Sequence, residues 1–497
     1  MTVRRDPSPL ARTTTGFLFV AIVCWIFADI AISTADSWRE FGLLLNGIVT
    51  PDFYSTNSLG LALAYTLAFA LLGVALANIF GFGLALIFHS RTVRVGCAFI
   101  RSIHELFWAL IFLQMFGLSP LTGVLAIAIP YAGIIAKVYA EILEEADQRP
   151  LSAVPVGAGR ASTFLFVRLP DAWAHFRNYS MYRLECGLRS SAVLGFIGLP
   201  TLGFHLETAF KEGHYSQVSA LLILFYLVIA TMRIWMKKPL LPAYLIGAAV
   251  ILPWGVAFSL SHITRFLTED IVPYPLRVGG ENMMSAFGDW LAMLLFDQAW
   301  PGMVATVQLT MIALVATGFL TLIFFPLISP LLLGRAARTG GHTFLVIARS
   351  TPEYILAFIL LNLWGPSMLP AIVALALHNG AIIGHLIGRF SNQVVLRPDH
   401  ATGINLYAFE MLPRIYGQFL AYLFYRWEVI MRETAILGIL GIATLGFFID
   451  SALSEIRLDR AMFLIVVTAI LNIGIDVLSR RIRRRLHLSD TAQQLKK

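Results

Sequence analysis

The chain is 497 residues long, 58% hydrophobic and only 13% charged, with a mean hydropathy of +0.76, which excludes a soluble domain of ordinary composition. Its 37 Lys and Arg against 29 Asp and Glu give a net charge of +8. No basic domain stands apart from the apolar segments, so the excess reads as contact with anionic headgroups and not with nucleic acid.

Apolar runs of the ~20 residues that a ~30 Å hydrocarbon core requires of a helix recur about twelve times. In chain order they lie near 16–33, 59–88, 100–117, 120–140, 192–210 and 216–236, then near 241–262, 302–333, 343–363, 368–388, 434–452 and 460–479. The first follows a basic start, as a secretory signal would, but reads as a retained span because its removal would leave an odd number. Basic residues stay on the cytoplasmic side of short loops. With the N-terminus inside, outward loops hold only Arg39, Lys211, Arg265, Arg277, Arg457 and Arg460, so both termini are expected in the cytoplasm. Cys24, Cys97 and Cys186 show neither metal-type spacing nor pairing and read as reduced packing residues.

The two groups of six are copies. Tyr, Arg, Glu, Arg, Ala, Leu and Gly of YRLECGLRSSAVLGFI, residues 182–197, recur 243 positions later in YRWEVIMRETAILGIL, residues 425–440. Leu169-Pro170 likewise meets Leu412-Pro413, and Thr201-Leu202-Gly203-Phe204 meets Thr444-Leu445-Gly446-Phe447. Upstream the offset is 248: Arg101-Ser102-x-x-Glu105 meets Arg349-Ser350-x-x-Glu353. Equal direction and span count make the repeat parallel. The expectation is an all-α integral membrane protein: a tail 1–15, a first repeat 16–238, a second repeat 239–485 and a tail 486–497. The outer segments 37–49 and 285–300 suit amphipathic helices in the interface, with a disordered loop as the alternative, chiefly for the first.

Between the fourth and fifth spans of each half lies a charged loop, 141–191 and 389–433, sized for one or two short helices on the inner surface. In the first, Gly157 permits a sharp turn and Pro170, thirteen residues on, is expected to end the following helix. The pattern of Gly157-Ala158-Gly159, then Val167 and Leu169-Pro170, resembles the cytoplasmic coupling loop of binding-protein-dependent ABC importer permeases. RSIHELFWALIF, EILEEADQRP, YRLECGLRSSAVLGFIG and YRWEVIMRETAILGILG with TLGF resemble the phosphonate-transport branch. The resemblance covers nearly the whole chain, once per half, and implies two six-span subunits fused. Gly403 and Leu412-Pro413 hold the second copy of the loop pattern. This chain departs from the family's acidic start of the loop, with Leu151 and Arg397 in that place, and the second loop is shorter.

The resemblance implies a type I importer permease fold with coupling helices, two copies of an ATPase subunit carrying ATP and Mg, an extracytoplasmic substrate-binding protein, and passage of phosphonate or a related oxyanion across a bacterial inner membrane by alternating access. The chain itself has no G-x-x-x-x-G-K-[ST] phosphate loop and is not expected to be an enzyme, to bind a cofactor or metal, or to contact nucleic acid.

The duplicated charges then read as inner-face structure. Arg101 with Glu105, and Arg349 with Glu353, are spaced to pair along one helix face. Arg183, Glu185 and Arg189, with Arg426, Glu428 and Arg432, read as the hinge where the loop becomes the fifth span, tied by ion pairs. Glu433 puts a carboxylate in the second hinge where Ser190 stands in the first. An oxyanion in a low-dielectric core needs hydrogen-bond donors. The candidates are Thr66, Tyr131, Thr201, Thr306, Gln308, Thr310, His378, Asn379 and Thr444, with a helix–helix hydrogen bond as the plainer role of His378. A proton-coupled carrier would instead use His378, Glu207 or Asp450 as a relay. A membrane enzyme would need a catalytic cluster that the eleven dispersed His do not form.

Overall fold

The computed structural model describes residues 8–34, 36–145, 149–150, 154–155, 157–255 and 259–488; Leu151, part of the first loop, lies outside them. The described residues form helices and no strand. In chain order these are α1 (Pro9–Ile26), α2 (Ser37–Val49), α3 (Leu59–Leu86), α4 (Arg91–Ser102), α5 (Glu105–Phe116), α6 (Pro120–Glu145), α7 (Arg160–Thr163) and α8 (Leu169–Val193). There follow α9 (Leu202–Lys211), α10 (Tyr215–Trp235), α11 (Leu241–Ile251), α12 (Leu260–Arg265), α13 (Tyr274–Val278), α14 (Met283–Met293) and α15 (Trp300–Phe324). The chain closes with α16 (Arg335–Ser350), α17 (Glu353–Trp364), α18 (Met368–Ser391), α19 (Gly403–Asn405), α20 (Leu412–Ile439), α21 (Leu445–Ser454) and α22 (Leu458–Arg485).

Two compact units emerge, and their edges cross the sequence repeat. One holds residues 44–271; the other holds 1–43 with 272–497. In the first, α11 packs on α3 although α11 opens the second sequence repeat. In the second, α1 packs on α15, with Phe17 5.1 Å from Phe424 and 5.2 Å from Trp427 between ring centroids. Each unit is built on one intimate helix pair, α3 with α6 and α15 with α18. In lipid there is no hydrophobic drive between helices, so close backbone approach through small residues supplies the contact. A Cβ on Gly73 or Gly81 of α3 would lie 2.8 Å or 2.7 Å from Ile127 or Ile135 of α6. In the other unit the small residues sit on α18, where Gly380 and Gly384 receive Leu320 and Phe324 of α15.

Among the described residues, seven helices are long and apolar enough to cross a membrane, or up to ten if each of three bent pairs counts as one span. The expected spans at 100–117 and 343–363 are such pairs: α4 meets α5 at 92° and α16 meets α17 at 94°. At ~1.5 Å per residue, α5 and α17, with 12 residues each, reach roughly 18 Å and cannot cross alone. Each stops at a glycine with positive φ, Gly117 at 63° and Gly365 at 84°, 248 residues apart, which caps the helix without a Cβ penalty. Two expected spans differ further. In the run at 241–262, α11 ends at Ile251, because Pro253 disfavours helical backbone at Leu252. The run at 434–452 is divided between the end of α20 and the 10-residue α21. Of the outer segments, 37–49 is α2 and 285–300 lies within α14 and its continuation into α15. The three cysteines are free.

Candidate functional site: two loop elements and two buried polar clusters

The loop elements share one construction. Gly157 (φ 100°) and Gly403 (φ 62°) adopt the left-handed conformation that glycine tolerates. A short helix follows, α7 or α19, then one π-helical turn, Phe164–Arg168 or Leu406–Met411, and then α8 or α20. Ala158 N–H donates to Pro155 O at 3.1 Å, and Gly159 is the N-cap of α7. Leu169-Pro170 and Leu412-Pro413 open the long helices. This corrects the expectation that Pro170 ends a helix. The preceding π turn hydrogen-bonds Leu169 N–H to Phe164 O, and the proline sits in a first turn where its missing N–H costs little. The element leaves apolar side chains in the open. Phe166 is 78% exposed and Phe409, 243 residues later, is 77% exposed. Their inner sides are anchored: Arg168 Nη2 donates to Leu143 O at 2.9 Å, and Tyr407 OH donates to Leu322 O at 3.1 Å. Sequence reading missed the two phenylalanines, although their identity at the 243 offset was available.

At the end of each long helix the chain breaks, with a bend of 55° between the α8 segment and α9. Gly203 packs against the carbonyl of Ala192, and Gly446 against that of Ala435. The following helices α9 and α21 begin after Thr201 and Thr444. Their first N–H groups are taken from another helix: Leu202 N donates to Thr66 Oγ1 at 2.8 Å, and Leu445 N to Thr306 Oγ1 at 3.0 Å. Thr66 and Thr306, read from the sequence as pathway donors, therefore act as buried helix caps, their own hydroxyls donating to Ala62 O and Gly302 O. Thr66→Val or Thr306→Val should cost about 1–2 kcal/mol, read as a lower melting temperature of the detergent-solubilised protein; an unchanged melt would remove the capping role. Thr201 and Thr444 are fully buried. Gln308 Nε2 donates to Cys24 O at 2.8 Å, pinning α15 to α1, and Thr310 faces the Met431 sulfur at 3.1 Å.

The remaining candidates gather, unit by unit, near the middle of α6 and α18. In the 44–271 unit, Ser190 donates to Glu105 Oε1 at 2.7 Å, so the Tyr131 hydroxyl, 2.9 Å away, donates to Ser190. Arg183 completes the chain from the other side, its guanidinium 5.4 Å from the Tyr131 ring centre, 5.2 Å from Tyr179 and 5.6 Å from Tyr182, with Nε donating to Tyr179 OH at 2.8 Å. Arg183 is thus held by tyrosines, not by the ion pairs expected at the hinge. His104 Nδ1 accepts from Leu106 N–H at 3.2 Å, which turns Nε2 toward Glu105 Oε2, 3.8 Å distant.

In the other unit, Asn379 Nδ2 donates to Glu433 Oε2 at 3.0 Å and to Leu375 O at 3.0 Å. His378 Nδ1 lies 2.8 Å from Thr351 O, so Nδ1 carries the proton, and Nε2 is 3.8 Å from Glu353 Oε2. Glu105 and Glu353 are the first residues of α5 and α17, where the helix dipole favours a carboxylate. The right-angle breaks before them place Arg101 and Glu105, and Arg349 and Glu353, on different helices and not along one continuous helix face. Glu185, Arg189, Arg426, Glu428 and Arg432 are half-buried along α8 and α20. Ser190, His104 and Thr351 are members that sequence reading did not assign. At their matching offsets, Tyr131 and Asn379, Glu105 and Glu353, and Ser190 and Glu433 occupy equivalent places.

Glu353, His378 and Glu433 form the group of possible metal ligands among the described residues, with one ligand atom from each lying within 4.8 Å of the others. A tetrahedral zinc site holds its ligand atoms roughly 3.3 Å apart, and His378 Nε2 is 3.8 Å from Glu353. Glu207 is paired with Lys211 at 2.6 Å, and Asp450 lies half-buried on α21.

No protein-family model matches the chain, and no solved structure does. Curated proteins do. The phosphate-import permease protein PhnE of Mycolicibacterium smegmatis is 24% identical over 94% of this chain and 92% of its own length. The phosphite transport system permease protein PtxC of Stutzerimonas stutzeri is 28% identical over 43% of this chain and 82% of its own. The putative phosphite transport system permease protein HtxC of the same organism is 30% identical over 46% of this chain and 86% of its own. The shorter relatives thus span about half of this chain, and the longer one spans nearly all of it. With the apolar helices and the duplicated loop elements, this shows that the chain belongs to the family of phosphonate- and phosphite-type transport permeases, a multi-pass membrane transport subunit and not an enzyme.

Proposed function

We propose that the chain is the whole transmembrane pathway of an ATP-driven ABC importer for a phosphorus oxyanion, with phosphonate first and phosphite, hypophosphite or phosphate as the alternatives. The observation that carries the reading is the pair of loop elements, each turning on a glycine and presenting one exposed phenylalanine. Two separate ATPase subunits would each receive one of them, since the sequence has no phosphate loop of its own. Nucleotide-driven closure of those subunits, loaded with ATP and Mg, would move the halves between inward- and outward-open forms, and a binding protein outside would select the substrate. The reading includes twelve crossings, with α11 and the α20–α21 pair completing the set, both termini in the cytoplasm, and residence in a bacterial inner membrane.

Relatives named for phosphate and phosphite transport support the substrate class. The buried polar clusters place hydrogen-bond donors inside both units, Ser190 donating to Glu105 and Asn379 to Glu433 with the Arg183 guanidinium beside the Tyr131 ring, and an oxyanion in a low-dielectric core needs such donors. The test is uptake of labelled phosphonate and phosphite in cells lacking other phosphorus importers and expressing the chain with its partners. Uptake should stop on ATP depletion and survive collapse of the proton gradient. Uptake that outlasts ATP and follows the pH gradient would instead establish the proton-coupled carrier, with His378, Glu207 or Asp450 as its relay.

A further inference from the structure

The two halves differ at the end of α18 in a way that transport by a symmetric pair does not require. In the first half, Lys137 on α6 is paired within its own helix to Glu141, Nζ to Oε1 at 3.8 Å. At the 248 offset these positions are His385 and Arg389, so the acid has become a base. Arg94 and Arg101 of α4 become His342 and Arg349 of α16. The packing of α16 brings these residues together. Gly341 lets α16 close on Leu327, and Phe344 stacks edge-on against Phe324 at 5.3 Å. His342 then lies against His385 with ring centroids 5.4 Å apart. The guanidinium charges of Arg349 and Arg389 both act on the His385 ring.

Burial sharpens the point. His385 is 8% exposed, and its Nδ1 has no hydrogen-bond partner among the described residues. His342 and Arg389 are exposed and Arg349 is half-buried. A buried polar atom without a partner is destabilising, and the guanidinium charges beside it add to that. Both costs are removed by an anion that accepts from several N–H donors at once, as a tetrahedral oxyanion does for Arg and His.

We propose that His385, with His342, Arg349 and Arg389, forms a binding site for a phosphate-type anion on the second half alone. The ligand chemistry is that of a phosphate group, whether free inorganic phosphate or the headgroup of an anionic phospholipid. The site stands apart from the transport reading, since a permease for another solute could carry it.

The experiment uses the intact chain in nanodiscs of phosphatidylcholine alone and of phosphatidylcholine with phosphatidic acid, at about 0.15 M salt so that remote charges are screened. Inorganic phosphate is titrated by calorimetry into the first, and native mass spectrometry counts phosphatidic acid retained from the second. The variants are Arg389→Glu, at an exposed position, and the nearly isosteric His385→Gln; Arg485→Glu is the control for net charge. If the ligand is free phosphate, both variants weaken its binding about tenfold or more and the control changes it by less than about twofold. If it is the lipid, phosphate does not bind in the phosphatidylcholine disc, and retained phosphatidic acid drops in both variants but not in the control. Phosphate binding and lipid retention that are both unchanged by Arg389→Glu and His385→Gln, or that fall equally in Arg485→Glu, would overturn the site. Uptake measured on the same variants reports separately on the transport reading.

Discussion

Gly446→Ala is expected to leave little folded protein. The new Cβ would fall on the backbone carbonyl of Ala435 on α20, and neither of two backbones locked in helices can give way as a flexible side chain would. Overpacking of this kind costs about 3 kcal/mol or more, a large part of ordinary stability. Gly203→Ala should behave alike, because its Cβ meets the carbonyl of Ala192. The measurement is the yield of monodisperse protein after extraction and its melting temperature. Gly474→Ala on α22 is the control: nothing lies within 4 Å of its Cβ, so the change should be neutral or stabilising by roughly 0.5–1 kcal/mol. A Gly446→Ala protein that melts like wild type would refute the close return of α21 onto α20.

The second expected result concerns energy coupling. In Phe166→Ala/Phe409→Ala, substrate uptake should fall below about a tenth of wild type while the amount in the membrane stays constant. Neither ring supports the fold, since both are more than three-quarters exposed. A large aromatic anchor seated in a partner's groove commonly contributes about 2 kcal/mol, or roughly thirtyfold in affinity. The single variants should separate the halves, because the second element is shorter and carries Glu410 beside Phe409 where the first has Val167 beside Phe166. Full uptake in the double variant would show that the loop elements do not receive the ATPase through these side chains.

Much of the site was legible because the chain is written twice. The 248 and 243 offsets predicted that Tyr131 and Asn379, or Glu105 and Glu353, occupy equivalent places, and the polar network around each confirms that these positions carry contacts. The offsets could not say what the contacts are. Thr66 and Thr306 looked like donors facing a pathway, yet a threonine inside an apolar helix serves equally to cap a neighbouring helix that is distant in sequence, and here it does. Pro170 looked like a stop, because a proline is compatible with both the end of one helix and the first turn of the next. The π turn before it selected the second.

By itself the sequence determined an apolar, all-helical chain with residue patterns recurring 243 and 248 positions apart, and a glycine-turned loop element at each recurrence. Hydropathy, residue spacing and glycine's backbone freedom are local properties, readable without knowing what touches what. Tertiary structure alone decided the right-angle breaks before Glu105 and Glu353, because hydropathy runs on across them. It also decided that α1 belongs with residues 272–497 and α11 with 44–271. Connectivity places a helix next to its neighbour in sequence. Its packing partner is chosen by shape, through contacts such as Phe17 against Phe424 and Trp427, and between uniformly apolar helices only that complementarity distinguishes one partner from another.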